Sequence, residues 1–366
     1  MNLQFDDMHV VVDRKLDLDR LSGLSSVDFS AAGYLPDQAP MSVEIQPTAN
    51  CHRVCTFCSH IARNKGGREL SEAEVAGLLE EFRQMRIGRV IFSGGGEPLH
   101  WGLERIERSI ALADRFSRVA LVSSGDQLWD REAGALDPSA GRLLPHLSEM
   151  FLNIPDVDED EWRKQVVGGN TWPEAHAMLS GLVELKARRS FERLNIYAVV
   201  VVTRQNIKNI GKIDETLAAI GVDGIYYKQF KAFEQRKVDK IKADNETLRL
   251  KIDELTTPDS RSPWLQRFVK SLSVPPVATA RCWANRGGLF ACIDPNGSVF
   301  ACTPTVGDQT YAIGNIHDRR FEDVWSGRTR RTVVEELDQR AACGGCPAEC
   351  REHTLNEAVE LRIQNA

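Results

Sequence analysis

Apolar positions along this chain alternate between two rhythms. Short, nearly continuous apolar runs are followed by stretches in which apolar residues recur every three or four positions. The first rhythm is that of strands and the second that of helix faces. Residues 42–47, 89–92, 119–123, 149–154, 194–202 and 224–230 read as six strands. The fifth is apolar throughout its second half, as expected when both faces of a parallel sheet are covered. Ser71 followed by Glu74 is a capping box, and Val75, Leu78, Leu79 and Phe82 then fall on one helix face. Further helices are predicted over 103–116, 174–186, 213–220 and 244–254.

Six such units predict an α/β domain over residues 42–256 with right-handed crossovers. An open doubly wound sheet and a partial barrel both fit, and in either one ligands gather at the carboxyl ends of the strands. Residues 1–41 read as a polar N-terminal extension with one short strand at 8–12. Residues 257–281, with Pro258, Pro263, Pro275 and Pro276, read as a linker, and 282–366 as a smaller domain with little helical periodicity. Within it, Asp294-Pro295-Asn296-Gly297 predicts a β-hairpin that brings Cys292 and Cys302 together.

Composition narrows the function. With 42% hydrophobic and 27% charged residues in 366, the chain is not wholly disordered. A net charge of −6 offers no global basic field, so neither nucleic acid nor an anionic membrane is expected as a partner. No apolar run is long enough to span a bilayer, and the first residues, with Asp6 and Asp7, do not read as a signal peptide. The expected setting is the cytoplasm, with reduced thiols. There, spaced cysteines mean metal or redox chemistry. The nine cysteines form two groups, three at 51–58 and six at 282–350.

Cys51, Cys55 and Cys58 form Cys-x3-Cys-x2-Cys just after the first strand. Three thiolates so close converge only around a common object, an iron–sulfur cluster or zinc. His52 and His60 keep zinc open as an alternative. After the second strand comes Ser93-Gly94-Gly95-Gly96-Glu97-Pro98, whose glycines permit positive φ and close backbone approach.

These two segments, with Phe57 before the third cysteine, resemble the signatures of the radical S-adenosylmethionine (SAM) superfamily. The resemblance covers residues 42–255 and implies a partial (β/α)6 barrel of TIM-like design. It also implies a [4Fe–4S] cluster on Cys51, Cys55 and Cys58, with one iron left open for SAM. Gly94, Gly95, Gly96 and Glu97 would then lie against SAM. Ser123, Ser124, Asn153, Thr203, Gln205 and Lys228 stand at strand ends, and of these Ser123 and Asn153 are the expected SAM contacts. The implied chemistry is one-electron cleavage of SAM to a 5′-deoxyadenosyl radical that abstracts a substrate hydrogen. The electron comes from an external low-potential donor of flavodoxin or ferredoxin type.

The second group, Cys282, Cys292, Cys302, Cys343, Cys346 and Cys350, resembles the SPASM and twitch auxiliary-cluster domains that follow many radical SAM barrels, a cysteine-rich hairpin plus helix. The two-cluster pattern has seven cysteines and this chain has six, which implies one auxiliary [4Fe–4S] cluster. Its ligands would be Cys282, Cys302 and two of Cys343, Cys346 and Cys350. A four-cysteine zinc site is the alternative. Cys292 and Cys350 are then candidates either to donate a hydrogen atom to a product radical or simply to pack or bind metal.

The resemblance implies oxidation or epimerisation of a small polar natural-product intermediate such as an aminosugar or cyclitol. The shortness of the stretch before the first strand favours that reading. Modification of a ribosomally made peptide, by epimerisation or crosslinking, is the alternative, and a non-catalytic iron–sulfur or zinc protein is a third.

Overall fold

The computed structural model describes residues 39–58, 68–230, 241–272 and 282–342, together with Cys346 and Asn356. The strand expected at 8–12 lies outside them. The six expected strands are β1 (Ser42–Ile45), β2 (Arg89–Phe92), β3 (Arg118–Ser123), β4 (Glu149–Asn153), β5 (Asn195–Val202) and β6 (Gly224–Gln229). They hydrogen-bond in sequence order, β6-β5-β4-β3-β2-β1, and every neighbouring pair is parallel. A doubly wound sheet reverses its strand order part-way. This sheet does not, so the architecture is the singly wound partial barrel.

The helices form for local reasons. Ser71 Oγ accepts from the Glu74 amide, and the Glu74 carboxylate accepts from the Ser71 amide at 2.6 Å. This box starts the helix Glu72–Gln84, which buries Val75, Leu78, Leu79 and Phe82. Thr171 and Glu174 repeat the device for Trp172–Arg189, which Ser190 ends in the left-handed region at φ 52°.

Register sorts the strand residues into two faces. Val43, Val90, Leu121, Met150, Ala198 and Ile225 join the main core beneath the helices. The alternate positions line the barrel interior, where Ile91, Ala120, Phe151 and Val199 pack with Val122, Tyr197 and Tyr226. The interior floor, at the amino ends of the strands, holds an ion pair between Arg89 and Glu149, both side chains 2% exposed, with Arg118 4.0 Å from the same carboxylate. Removing one partner of a buried pair leaves the other charge uncompensated. Glu149→Gln is therefore expected to destabilise the protein by ~3–5 kcal/mol. Urea denaturation checks this, and iron content should be unchanged, because the cysteine loop lies at the opposite end of the barrel.

One expectation is corrected. Residues 257–281 are not simply a linker. They contain the helix Pro263–Leu272, which buries Leu265, Phe268 and Leu272. Its anchor is Asp214, which accepts from Tyr227 Oη at 2.6 Å and from the Ser262 amide and hydroxyl at 2.7 and 2.6 Å. Pro263 starts this helix rather than breaking it, since the first turn needs no amide donor there. The last region, which shows little helical periodicity in sequence, carries the helix expected beside the hairpin, Arg328–Ala342.

The expected hairpin forms from β7 (Phe290–Ile293) and β8 (Ser298–Phe300), with β9 (Gly314–Asn315) beside it. Gly297 takes φ 79° in its turn. The register pairs Cys292 with Phe300, and Cys302 follows two residues beyond the strand. β7 also pairs in parallel with β1, placing Cys292 beside Glu44. Among the described residues, the hairpin of the small cysteine-rich region thus continues the barrel's own sheet to nine strands. Among the described residues no helix is long and apolar enough to cross a membrane.

Candidate active site

The cysteine loop leaves the carboxyl end of β1 and is fastened at each step. Thr48 Oγ1 and Asn50 Nδ2 both donate to Glu69 Oε1 at 2.7 Å. The Gly96 amide donates to Thr48 O at 3.0 Å and the Glu97 amide to Asn50 O at 2.9 Å. Val54–Cys55 then pairs antiparallel with Val166–Val167, and the Thr56 amide donates to Gln165 O at 2.9 Å. Thr56 Oγ1 donates to Gln205 Oε1 at 3.1 Å, tying the loop to the end of β5. The Cys58 amide donates to Cys55 O at 3.1 Å, which curls the end of the loop.

Cys51 is exposed, Cys55 and Cys58 are half-buried, and none is in a disulfide. Burial pushes the Cys55 thiol up to about 12; Arg53 opposes this, while Cys58 and Cys51 add to it. Thiolates are therefore costly here unless a cation compensates them. Three soft sulfur donors suit iron–sulfur or zinc. Among the described residues no three His, Cys, Asp or Glu side chains converge as a single metal ion requires.

The glycine turn acts through close approach and not through positive φ. None of Gly94, Gly95 and Gly96 has positive φ. A Cβ on Gly94 would lie 1.6 Å from Gly96 O, and one on Gly96 2.1 Å from Asn50 O. Glu97 is 4% exposed and accepts from Ser123 Oγ at 2.5 Å, the Ser124 amide at 2.7 Å and the Leu99 amide at 3.1 Å. Its carboxylate thus joins the ends of β2 and β3. Ser123 is buried, with its hydroxyl donating to Glu97 and accepting from the Gly125 amide at 2.8 Å. Asn153 is half-buried at the end of β4, its Nδ2 3.5 Å from Ser123 O. Thr203 caps its own turn with Asn206, and Lys228 is half-buried on β6. Glu97→Ala is expected to lower stability by about 1–3 kcal/mol through three orphaned donors. It should also weaken SAM binding, measured by equilibrium dialysis on the loaded protein.

Sequence reasoning named His52 only as a possible zinc ligand and singled out neither Arg53 nor Asp126. Arg53 Nε donates to Asp126 Oδ2 at 2.6 Å, its Nη2 donates to Oδ1, and His52 Nε2 lies 2.5 Å from Oδ2. The only signal was that two of the three residues between Cys51 and Cys55, His52 and Arg53, are polar.

In the second region Cys282 is buried, with its amide donating to Asp338 Oδ1 at 2.9 Å and Asn356 Nδ2 3.6 Å from its sulfur. Cys302 and Cys346 are half-buried, and burial raises the Cys346 thiol while Arg340 opposes this. Cys292 is fully buried in an apolar cluster with Phe290, Phe300 and Val306. Cys343 and Cys350 lie outside the described residues.

Residues 45–220 match the family described as the radical SAM superfamily, and residues 282–350 match SPASM, an iron–sulfur cluster-binding domain. The mycofactocin maturase MftC of Mycolicibacterium smegmatis is 23% identical over 315 residues, 84% of this chain and 76% of its own. Among solved structures, Streptococcus suis SuiB bound to precursor peptide SuiA shares the fold at a TM-score of 0.63 and 13% identity, over 85% of this chain and 69% of that one. The structure of anSMEcpe with bound AdoMet does so at 0.59 and 15%, over 90% and 99%.

Proposed function

Since this chain belongs to the radical SAM enzymes and carries an SPASM domain behind its barrel, we propose that its substrate is a peptide, which it modifies by hydrogen abstraction. The observation that carries this reading is the likeness to a maturase along 84% of the chain. The small aminosugar or cyclitol expected from the sequence has no such support. The short stretch before β1 carries no weight against a peptide.

The barrel domain binds a [4Fe–4S] cluster and SAM, and the SPASM domain binds auxiliary iron–sulfur clusters. When bound, the first cluster and SAM supply a one-electron cleavage that yields methionine and a 5′-deoxyadenosyl radical. Cys51, Cys55 and Cys58 are the residues suited to hold that cluster, with an external flavodoxin- or ferredoxin-type donor supplying the electron. The backbone at Gly94–Gly96 is suited to close approach by SAM, and Asn153, half-buried at the end of β4, is the side chain we assign to contact it. Glu97 and Ser123 hold the strand ends in place from beneath. Cys282 and Cys302, with two of Cys343, Cys346 and Cys350, are suited to the auxiliary site. Cys292 packs against Phe290, Phe300 and Val306 and stands beside Glu44, and both packing and hydrogen-atom donation stay open for it.

The test is anaerobic incubation of the reconstituted enzyme with SAM, a reductant and candidate precursor peptides, beside aminosugars and cyclitols. A peptide is expected to raise 5′-deoxyadenosine formation and to change mass itself. Turnover of the sugars with inert peptides would overturn the peptide reading. Iron counting of a Cys51/Cys55/Cys58 triple alanine variant tests the second site. About four retained iron atoms are expected for one auxiliary cluster; about eight would mean two.

A further inference from the structure

The stretch between the first two cysteines is held from below by one carboxylate. Asp126 follows the left-handed Gly125 (φ 80°) beyond the end of β3 and is 7% exposed. It accepts two bonds from the Arg53 guanidinium and meets the His52 ring, while Gln127 Nε2 lies 3.2 Å from His52 Nδ1. The other sides are closed as well. The guanidinium carbon of Arg53 lies 5.4 Å from the Trp162 ring centroid. Gly169 comes so near that a Cβ there would sit 2.1 Å from Asp126 Oδ2 and 2.7 Å from Arg53 Nε, and a Cβ on Gly168 would sit 2.4 Å from His52 O.

A buried ion pair is a poor source of stability, because desolvation offsets its attraction. What a two-point guanidinium–carboxylate contact does supply is a fixed orientation. Here both groups held by Asp126 belong to the three residues that separate Cys51 from Cys55. We infer that Asp126 is a positioning residue for the cluster: through Arg53 and His52 it sets where Cys51 stands relative to Cys55 before iron is bound. The two glycines over the pair complete the clamp, since any side chain at Gly169 would displace it. This rests on reading Cys51, Cys55 and Cys58 as cluster ligands.

The test compares Asp126→Asn with Asp126→Glu in the reconstituted full chain. The readouts are iron loss to a chelator, the electron paramagnetic resonance signal of the reduced cluster with and without SAM, and thermal unfolding. Iron held by the auxiliary site is set as baseline with the triple cysteine variant. Asp126→Asn is expected to lose the remaining iron roughly 10-fold faster, as when a group supporting metal ligands is removed. Its SAM-dependent signal should be altered, and Asp126→Glu should recover part of both. Glu149→Gln, which breaks the distant floor pair, is the control that should lower stability and leave both readouts unchanged. If Asp126→Asn fails to fold, the Arg53→Gln/Asp126→Asn double variant removes both charges and is read in the same way. Wild-type iron retention and signal in a folded variant would overturn the inference. A triple cysteine variant with the wild-type iron count would instead overturn the ligand assignment beneath it.

Discussion

Replacing Cys55 by alanine is expected to abolish 5′-deoxyadenosine formation and to remove about four iron atoms per chain. Cys55 is the middle cysteine of the loop, fixed by the ribbon with Val166–Val167 on one side and the Thr56 contacts on the other. Its burial holds the free thiol at about 12, so the anion forms there only when a cation compensates it. An alanine removes the sulfur and offers nothing in exchange. The loop itself should survive, because its hydrogen bonds run through backbone and through Thr48, Asn50, Arg53 and Thr56. The expected signature is therefore an unchanged unfolding temperature for the metal-free chain, loss of the cluster's absorbance, and SAM turnover at the level of a protein-free control. Wild-type turnover would remove Cys55 from the site.

The second large effect is expected from Gly96→Ala. Its Cβ would stand 2.1 Å from Asn50 O and 2.6 Å from both Ala49 C and Asn50 C. All three are backbone atoms, so no side-chain rotation relieves the clash. The two bonds that fasten the turn to the loop, Gly96 to Thr48 O and Glu97 to Asn50 O, flank the intrusion. Forcing extra volume into packed structure costs about 1–3 kcal/mol and sometimes more, and an immovable backbone places this site at the upper end. Stability and iron content should fall together, because the strand of loop pushed aside leads directly into Cys51. Gly77→Ala is the internal control. Gly77 lies in the helix Glu72–Gln84 with nothing within 4 Å of a new Cβ. That change is expected to stabilise the protein by ~0.5–1 kcal/mol. Chemical denaturation and iron analysis of both variants check the pair, and a Gly96→Ala protein as stable and iron-rich as wild type would refute the clash argument.

Much of this was legible along the chain because it is local. Alternation and apolar runs located all six barrel strands to within about two residues. Ser71 and Glu74 marked a helix start through bonds they make to each other. Asp294–Gly297 marked a hairpin turn for the same reason. Prolines misled where their role depends on position: Pro263 opens a helix in a segment that reads as a linker.

The sequence by itself determined the repeating strand–helix units, the two cysteine groups and their placement after strands, since each is set by neighbours a few residues apart. The strand pattern alone left the winding open and the family resemblance pointed to the barrel; only the tertiary structure decided that the hairpin bearing Cys292 pairs with β1 and which groups hold the cysteine loop. Arg53 meets Asp126 across 73 positions and Thr56 meets Gln205 across 149. A lone aspartate after a strand carries no local mark of such a partner. The physical reason is that closure of the barrel, and not chain proximity, brings the ends of β1, β3 and β5 to one rim, where the loops that leave them meet.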